Sequence, residues 1–333
     1  MKLTHFVLAD QFHFGMITDA GDFIDLDTAC RDYFGVNPVK GADPSRFRDM
    51  RTFFTGGAES VAITKKIQEY IDRRRAMGWT PRAATGARFF FKPEEGIRLL
   101  APVSAGAKIY LLASNSKSHL AEQKKEAPPR PYLFTRFANS LVGPSESLVL
   151  SPHGQFPDVE LELALVIGQR GKHVPASRAM EIVAGYTITL DMGYRDLQFP
   201  AGGAVDWVQG KGFDSTMVVG PWVVPKEEVG SPYPLQMELQ VNGTVRQKGD
   251  TTDYLFRIPE IIEHLTRGVT LEPGDVISLG TLGGTPGYEF GNESRKLKPG
   301  DVIEGTIQRI GGLKVGVKAE AAPPPPGATP PEA

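Results

Sequence analysis

A single cysteine, Cys30, leaves this chain unable to form an intrachain disulfide, so the fold has to rest on a buried core and its hydrogen bonds. That scarcity suits a reducing compartment, and a cytoplasmic location is the expectation. Long hydrophobic runs are missing as well. No stretch approaches the roughly 20 apolar residues of a membrane span. The opening MKLTHFVLADQFHFG lacks the uninterrupted apolar stretch of a secretory signal, so no membrane association is expected. An excess of either charge is also absent: 37 Lys and Arg stand against 39 Asp and Glu, a formal net charge of −2. No long-range field would draw in nucleic acid or anionic lipid, and neither is expected as a partner. The dense basic run Arg73-Arg74-Arg75 reads as a solvated helix face. No repeat of fixed period is visible.

What is present is a globular composition, 41% hydrophobic over 333 residues, enough for one large core or two smaller ones. Thirty-seven glycines and 27 prolines punctuate many short apolar runs, the texture of a strand-rich fold with tight turns. Residues 1–55 alternate short strand-like pieces with polar turns. Gly57 to Met77 reads as a helix, because Ile63, Ile67, Tyr70 and Ile71 share one face, with Gly78 and Pro81 as stop signals. From Ile97 onward IRLLAP, KIYLLAS, SLVLSP, VELELALVIG, YTITLDMG, STMVVGPWVV and LQMELQVNG all read as strands. Two further helices are expected, Ala176–Val183 and Pro259–Thr266. The ending AEAAPPPPGATPPEA, residues 319–333, cannot build a core and is expected as a disordered, proline-rich tail.

Within DVELELALVIG, alternation puts Glu160 and Glu162 on one face and Val159, Leu161 and Leu163 on the other. An isolated E-x-E is more often a solvated strand face. Here the strand runs on into ALVIG, apolar on both faces, which marks an interior strand. Carboxylates close together near an interior need a compensating cation. In YTITLDMG the same alternation aligns Asp191 with Thr187 and Thr189. Three oxygen ligands without a Cys or His cluster suit a hard divalent ion, Mg²⁺ or Mn²⁺, with Ca²⁺ as a further candidate. Arg195 and Gln198 follow three residues apart, compatible with one helical turn, and then comes Lys211. A guanidinium, an amide and an ammonium beside a metal suit an anionic, oxygen-rich substrate, although each is common on a surface. His119 and Glu122, also three apart, can meet on one helical turn. The carboxylate would raise the basicity of the imidazole so that it can activate water.

Taken together these residues resemble the fumarylacetoacetate hydrolase superfamily. IRLLAPV is similar to its entry strand, H-x-x-E at His119–Glu122 to its catalytic dyad, and E-x-E plus Asp191 to its metal triad. DMGYRDLQ resembles its D-x-x-x-R-D-x-Q, and Lys211 sits in a similar K-x-F-D. VNGTVRQKGDTTDYLF, LEPGDVISLGT and LKPGDVIEGTI resemble later signatures, in which Thr281 is expected to touch substrate. Three positions depart from the pattern: Ser116 where an aromatic is usual, Leu282 where proline is usual, and Arg136 where lysine is common.

The resemblance implies a mainly β, α+β fold, a mixed β-sandwich roll. Residues 97–318 would form the catalytic domain and residues 1–96 a smaller N-terminal α/β domain. It implies a homodimer acting on a small 2-oxo or β-diketo acid. The expected activity is metal-dependent hydrolysis of a carbon–carbon bond in an acylpyruvate or fumarylacetoacetate-like acid, in catabolism of aromatic or sugar-derived compounds. Glu160, Glu162 and Asp191 would be metal ligands, with His119, Glu122 and Lys211 catalytic. Arg195, Gln198, Lys211 and Thr281 would hold substrate. The alternatives are an oxaloacetate-type decarboxylase or tautomerase, a 2-oxo acid hydratase or isomerase, and a catalytically silent metal-containing binding protein.

Overall fold

The computed structural model describes residues 1–38, 43–104, 106–201, 203–285 and 295–321. Most of the proline-rich ending, residues 322–333, lies outside the described residues, and so does the expectation of disorder there.

The chain opens with an antiparallel ribbon, β1 (Lys2–Leu8) and β2 (Gln11–Ile17), extended by β3 (Phe23–Asp25). Asp25 then caps α1 (Leu26–Val36) by accepting from the Thr28 N–H. The sequence reading of residues 1–55 as strand pieces and turns missed this helix. Its buried stripe is only Leu26, Ala29 and Cys30, too short a pattern to stand out. α2 (Met50–Thr55) and α3 (Gly57–Ala76) follow, α3 agreeing with the helix expected there, and β4 (Phe90–Phe91) pairs with β3.

Each expected strand from Ile97 onward is present. β5 (Arg98–Leu100), β6 (Ile109–Ala113), α4 (Lys117–Gln123) and β7 (Tyr132–Arg136) lead to two short strands, β8 (Leu141–Val142) and β9 (Leu148–Leu150). Two long strands form the centre, β10 (Pro157–Ile167) and β11 (Val183–Tyr194). The helix expected at Ala176–Val183 is instead a 3-10 segment, Ala176–Glu181, cut short because Val183 already belongs to β11. Next come α5 (Arg195–Gln198), α6 (Trp207–Lys211), β12 (Met217–Pro225) and α7 (Lys226–Val229). The chain continues through β13 (Gln236–Val241), β14 (Thr244–Asp250), α8 (Ile258–Thr266), β15 (Val276–Thr281), β16 (Val302–Ile307) and β17 (Gly311–Ala319).

Among the described residues the larger sheet has 12 strands along the path β4-β3-β2-β1-β12-β11-β10-β15-β6-β7, with β5 on β1 and β8 on β12. The smaller has five, in the order β14-β13-β16-β17-β9. The protein is a mixed α+β structure dominated by its sheets, as the resemblance implied.

β10 is buried from end to end, and its two faces meet different neighbours. Val159, Leu161, Leu163, Leu165 and Ile167 enter the core between the sheets, with Leu239, Ile303 and Ile307 of the smaller sheet. Ala164 and Val166 belong to a second core that includes Phe14, Met16, Phe53, Ile67 and Ile71 from the first 96 residues. Asp158, Glu160 and Glu162 share that second face by alternation, toward the start of the strand. One sheet face is therefore acidic at one end and, at the other, apolar and part of a core shared with β1–β4 of the same sheet and with α1–α3.

Candidate active site and metal centre

Strand register assembles the acidic end. Glu160 lies opposite Asp191 between β10 and β11, Glu162 lies opposite Thr189, and on its other side Glu162 pairs with Thr281 of β15. Glu160, Glu162 and Asp191 each offer an oxygen within 4.8 Å of the others, and all three are buried. Asp158, two residues earlier on the same face, is also buried.

Cations meet this charge at bonding distance. Lys211 Nζ donates to Glu160 Oε2 at 2.7 Å and to Asp191 Oδ2 at 2.6 Å. Gly193 permits that approach, since a Cβ there would come within 2.7 Å of the Lys211 side chain. Arg195 donates to Glu160 Oε1 at 2.5 Å, to Asp158 Oδ2 at 3.1 Å and to Gln198 Oε1 at 3.0 Å, so α5 brings its two polar residues to the cluster together. Arg136 Nε lies 3.4 Å from Asp191 Oδ1. Among the described residues no cation stands at bonding distance from Glu162. Its hydrogen-bond donor is the Ser278 hydroxyl, which is in turn 2.8 Å from Thr189 Oγ1.

The electrostatics follow from these contacts. Burial, then Asp191 and Glu160, push the Glu162 carboxyl well above its ordinary range. Burial also pushes Glu160 up, but Arg195 and Lys211 outweigh it and hold Glu160 below the usual range. Burial alone would lower Lys211, and Asp191 and Glu160 reverse that, keeping its ammonium charged. Four buried carboxylates thus face three buried cations, with Asp191 Oδ1 having no hydrogen-bond partner among the described residues. A surplus of one carboxyl over the cations, a Glu162 carboxyl that only a further positive charge would ionise, and an all-oxygen donor set fit a hard divalent cation held by Glu160, Glu162 and Asp191.

The second group lies on α4. Ser116, the first departure from the family pattern, caps this helix by accepting from the His119 N–H at 3.1 Å. His119 Nδ1 is 2.7 Å from Glu122 Oε1. Burial pushes the Glu122 carboxyl up, but hydrogen bonds from His119, Gly284 and Thr285 outweigh it and hold its pKa below the ordinary value. An ionised Glu122 fixes the ring proton on Nδ1 and leaves the lone pair on Nε2.

His119, Glu160, Glu162, Asp191, Arg195, Gln198, Lys211 and Thr281 all line one cavity of about 600 Å³. Glu122 stands behind His119 and is not among the lining residues. Thr281 is held by its neighbours, accepting from Gln247 Nε2 at 2.7 Å and donating to Leu161 O at 3.1 Å. Several lining residues escaped the sequence reading. Phe134 stacks on Trp207 at 4.2 Å, and the Trp207 indole donates to Tyr132 Oη at 3.2 Å, forming an aromatic wall. Phe199 lies under Lys125. Nothing in their local spacing separates these from ordinary core aromatics. Asp158 and Ser278 were missed as well, although Asp158 extends the Glu160–Glu162 alternation by one step and was legible there.

The Fumarylacetoacetate (FAA) hydrolase C-terminal family model matches residues 108–318, more than half of the chain. The chain belongs to the fumarylacetoacetate hydrolase family. Its similarity extends to the human protein named oxaloacetate tautomerase FAHD2A, mitochondrial, at 36% identity over 250 residues, covering 75% of this chain and 78% of that one. A solved fumarylacetoacetate hydrolase from Exiguobacterium antarcticum superposes with a TM-score of 0.70 at 27% identity, covering 96% of this chain and all of the other. A 5-carboxymethyl-2-hydroxymuconate delta-isomerase from Mycobacterium smegmatis gives 0.67 at 26% identity over 97% of this chain and all of the other. The fumarylacetoacetate hydrolase family thus spans hydrolase, isomerase and tautomerase names on one fold, so the reaction has to be argued from the site.

Proposed function

We propose that this protein is a divalent-metal-dependent enzyme that hydrolyses a carbon–carbon bond in a small β-diketo acid. The observation that carries the reading is that a carboxylate-backed histidine and a buried carboxylate triad open into the same cavity. Glu160, Glu162 and Asp191 would hold Mg²⁺ or Mn²⁺. When bound, that ion supplies Lewis acidity toward the oxygens of a 2-oxo acid.

The chain's own groups do the rest. His119 Nε2 takes a proton from water while Glu122 stabilises the imidazolium that forms. The water oxygen bonds to the distal carbonyl carbon, and the carbon–carbon bond then breaks with its electron pair passing to the 2-oxo acid fragment as an enolate. The proton held by His119 returns to that fragment, giving a 2-oxo acid and a carboxylic acid. Arg195, Gln198 and Lys211 orient the substrate carboxylate and offset charge as it develops. The wall of Tyr132, Phe134 and Trp207 receives the part of the substrate beyond the cleaved bond. A base so positioned contributes about 10²–10⁴ in rate.

A second reading, keto–enol tautomerisation of a 2-oxo diacid, is favoured by the similarity to the human oxaloacetate tautomerase. It needs the same base but no water, since His119 would move a proton between carbon and oxygen of one substrate. The deciding experiment follows the ultraviolet absorbance of acylpyruvates and of freshly dissolved oxaloacetate in Mg²⁺ or Mn²⁺, and again with EDTA. Release of pyruvate and a carboxylic acid establishes the hydrolase. Accelerated keto–enol equilibration of oxaloacetate, without cleavage of any acylpyruvate, transfers the assignment to the tautomerase.

A further inference from the structure

The dyad rides on a helix of only seven residues, Lys117–Gln123, and so short a helix has little stability of its own. Its orientation is set by what it touches. At its start Asp253 accepts from the Ser116 and Ser118 hydroxyls, each at 2.5 Å. Along its length it meets the segment that follows β15. Gly283 N–H donates to Ser118 Oγ at 2.9 Å, and Gly284 N–H donates to Glu122 Oε2 at 2.7 Å. Gly284 has φ +100, and a Cβ there would lie 2.3 Å from Arg246 O, so glycine is required for this approach.

The next residue bears on the chemistry. Thr285 is buried, and its hydroxyl donates to Glu122 Oε1 at 3.0 Å. That oxygen is the one facing His119 Nδ1, from which Thr285 Oγ1 lies 3.4 Å. With Gly284 on one oxygen and Thr285 and His119 on the other, the carboxylate has no freedom to rotate. Thr285 is not among the residues lining the cavity, so it would act through the pair and not on the substrate.

We propose that Thr285 is a positioning residue of the His119–Glu122 pair, an inference that rests on reading His119 as the base. Its hydroxyl does two things. It locks the carboxylate in the plane that receives Nδ1–H, which aims Nε2. It also draws negative charge from Oε1 and so moderates how strongly Glu122 stabilises the imidazolium. The other charged groups lining the cavity with His119 are Glu160, Glu162, Asp191, Lys125, Arg195 and Lys211, of which Glu160 interacts electrostatically with the ring; none of them is altered by a change at Thr285.

The test compares Thr285→Val, which keeps the shape and removes the hydroxyl, with Thr285→Ser, which keeps the hydroxyl. Nitrogen NMR of the side chain, with the His119 signal assigned by its absence in His119→Gln, gives a titration curve that does not depend on any substrate. Thr285→Val should move the His119 titration to higher pH and lower kcat about tenfold with KM unchanged, the cost of one hydrogen bond to a charged group. Thr285→Ser should restore both. If Thr285→Val does not fold, Thr285→Ala gives the same reading. A His119 titration unmoved by loss of the hydroxyl overturns the proposal, and so does a serine variant that behaves like the valine. Should no 2-oxo acid be turned over at all, the proposed function fails, while the NMR titration still decides the role of Thr285.

Discussion

One face of β10 and β11 is finished in two different ways. At one end Asp158, Glu160 and Asp191 are closed by Arg136, Arg195 and Lys211, and Glu162 beside them by the Ser278 hydroxyl. At the other, Ala164 and Val166 are closed by apolar residues from the first 96, among them Phe14, Phe53 and Ile67. Hydrophobic cover is non-directional and gains with every apolar contact, so that end should contribute stability. A buried set of charges costs desolvation that its ion pairs only partly offset, so the acidic end should contribute little stability and much function. The two ends therefore ought to respond oppositely to substitution.

The largest effect is expected at Glu162, the carboxylate that no cation pairs with among the described residues. Glu162→Gln should lower activity by about 10³-fold or more, in line with losing the ion's several kcal/mol of charge stabilisation. It should also abolish Mn²⁺ binding in calorimetry. Because it replaces a carboxyl that burial and its acidic neighbours already hold back from ionising, the metal-free variant should melt no lower than the metal-free wild type. A metal-free variant that unfolds far more easily would mean the acidic end is a structural support after all. At the covered end, Phe53→Ala should do the reverse. Phe53 is fully buried against Phe14, Phe47 and Phe54, and its loss should cost about 3–5 kcal/mol in urea unfolding while leaving Mn²⁺ affinity as it was. Loss of metal affinity along with stability would show that the two ends are not separable.

The same contrast explains what could be read in advance. The acidic end was legible because alternation alone aligns Glu160 with Glu162 and Asp191 with Thr189, and register then joins the two strands. The α4 dyad and the Arg195–Gln198 turn were legible for the same reason, their spacing matching one helical turn. The cover was not. Ala164 and Val166 look like any interior strand, and nothing in β10 says that the partner lies more than 90 residues earlier in the chain. Long-range packing leaves no local period, and α1, with its three-residue buried stripe, was lost for that reason. Asp158 is a different case, since its position in D-V-E-L-E carried the signal.

The smallest effect sharpens the comparison through pH. His5, on β1 of the covering region, is buried against Phe12 and Phe14, and burial lowers its pKa from 6.5 to about 4, against weaker opposing pulls from Ala101 O and Asp49. Above pH 6.5 the ring is neutral in both folded and unfolded chains and adds no pH dependence. As the pH falls below 6.5, the unfolded chain takes up a proton that the folded chain refuses until about 4. Stability should therefore drain away progressively across that window, by about 3 kcal/mol in total, and level off below it. Glu162 works the other way, its raised carboxyl taking up a proton in the folded state first, so the wild-type curve alone mixes the two. The difference between wild type and His5→Gln, which retains a donor for Ala101 O, separates them. Urea unfolding at pH 7 and pH 5 should show wild type losing ground to the variant as acid is added. Parallel losses in the two proteins would clear His5 and leave the covered end no more acid-sensitive than the carboxylate end it is compared with.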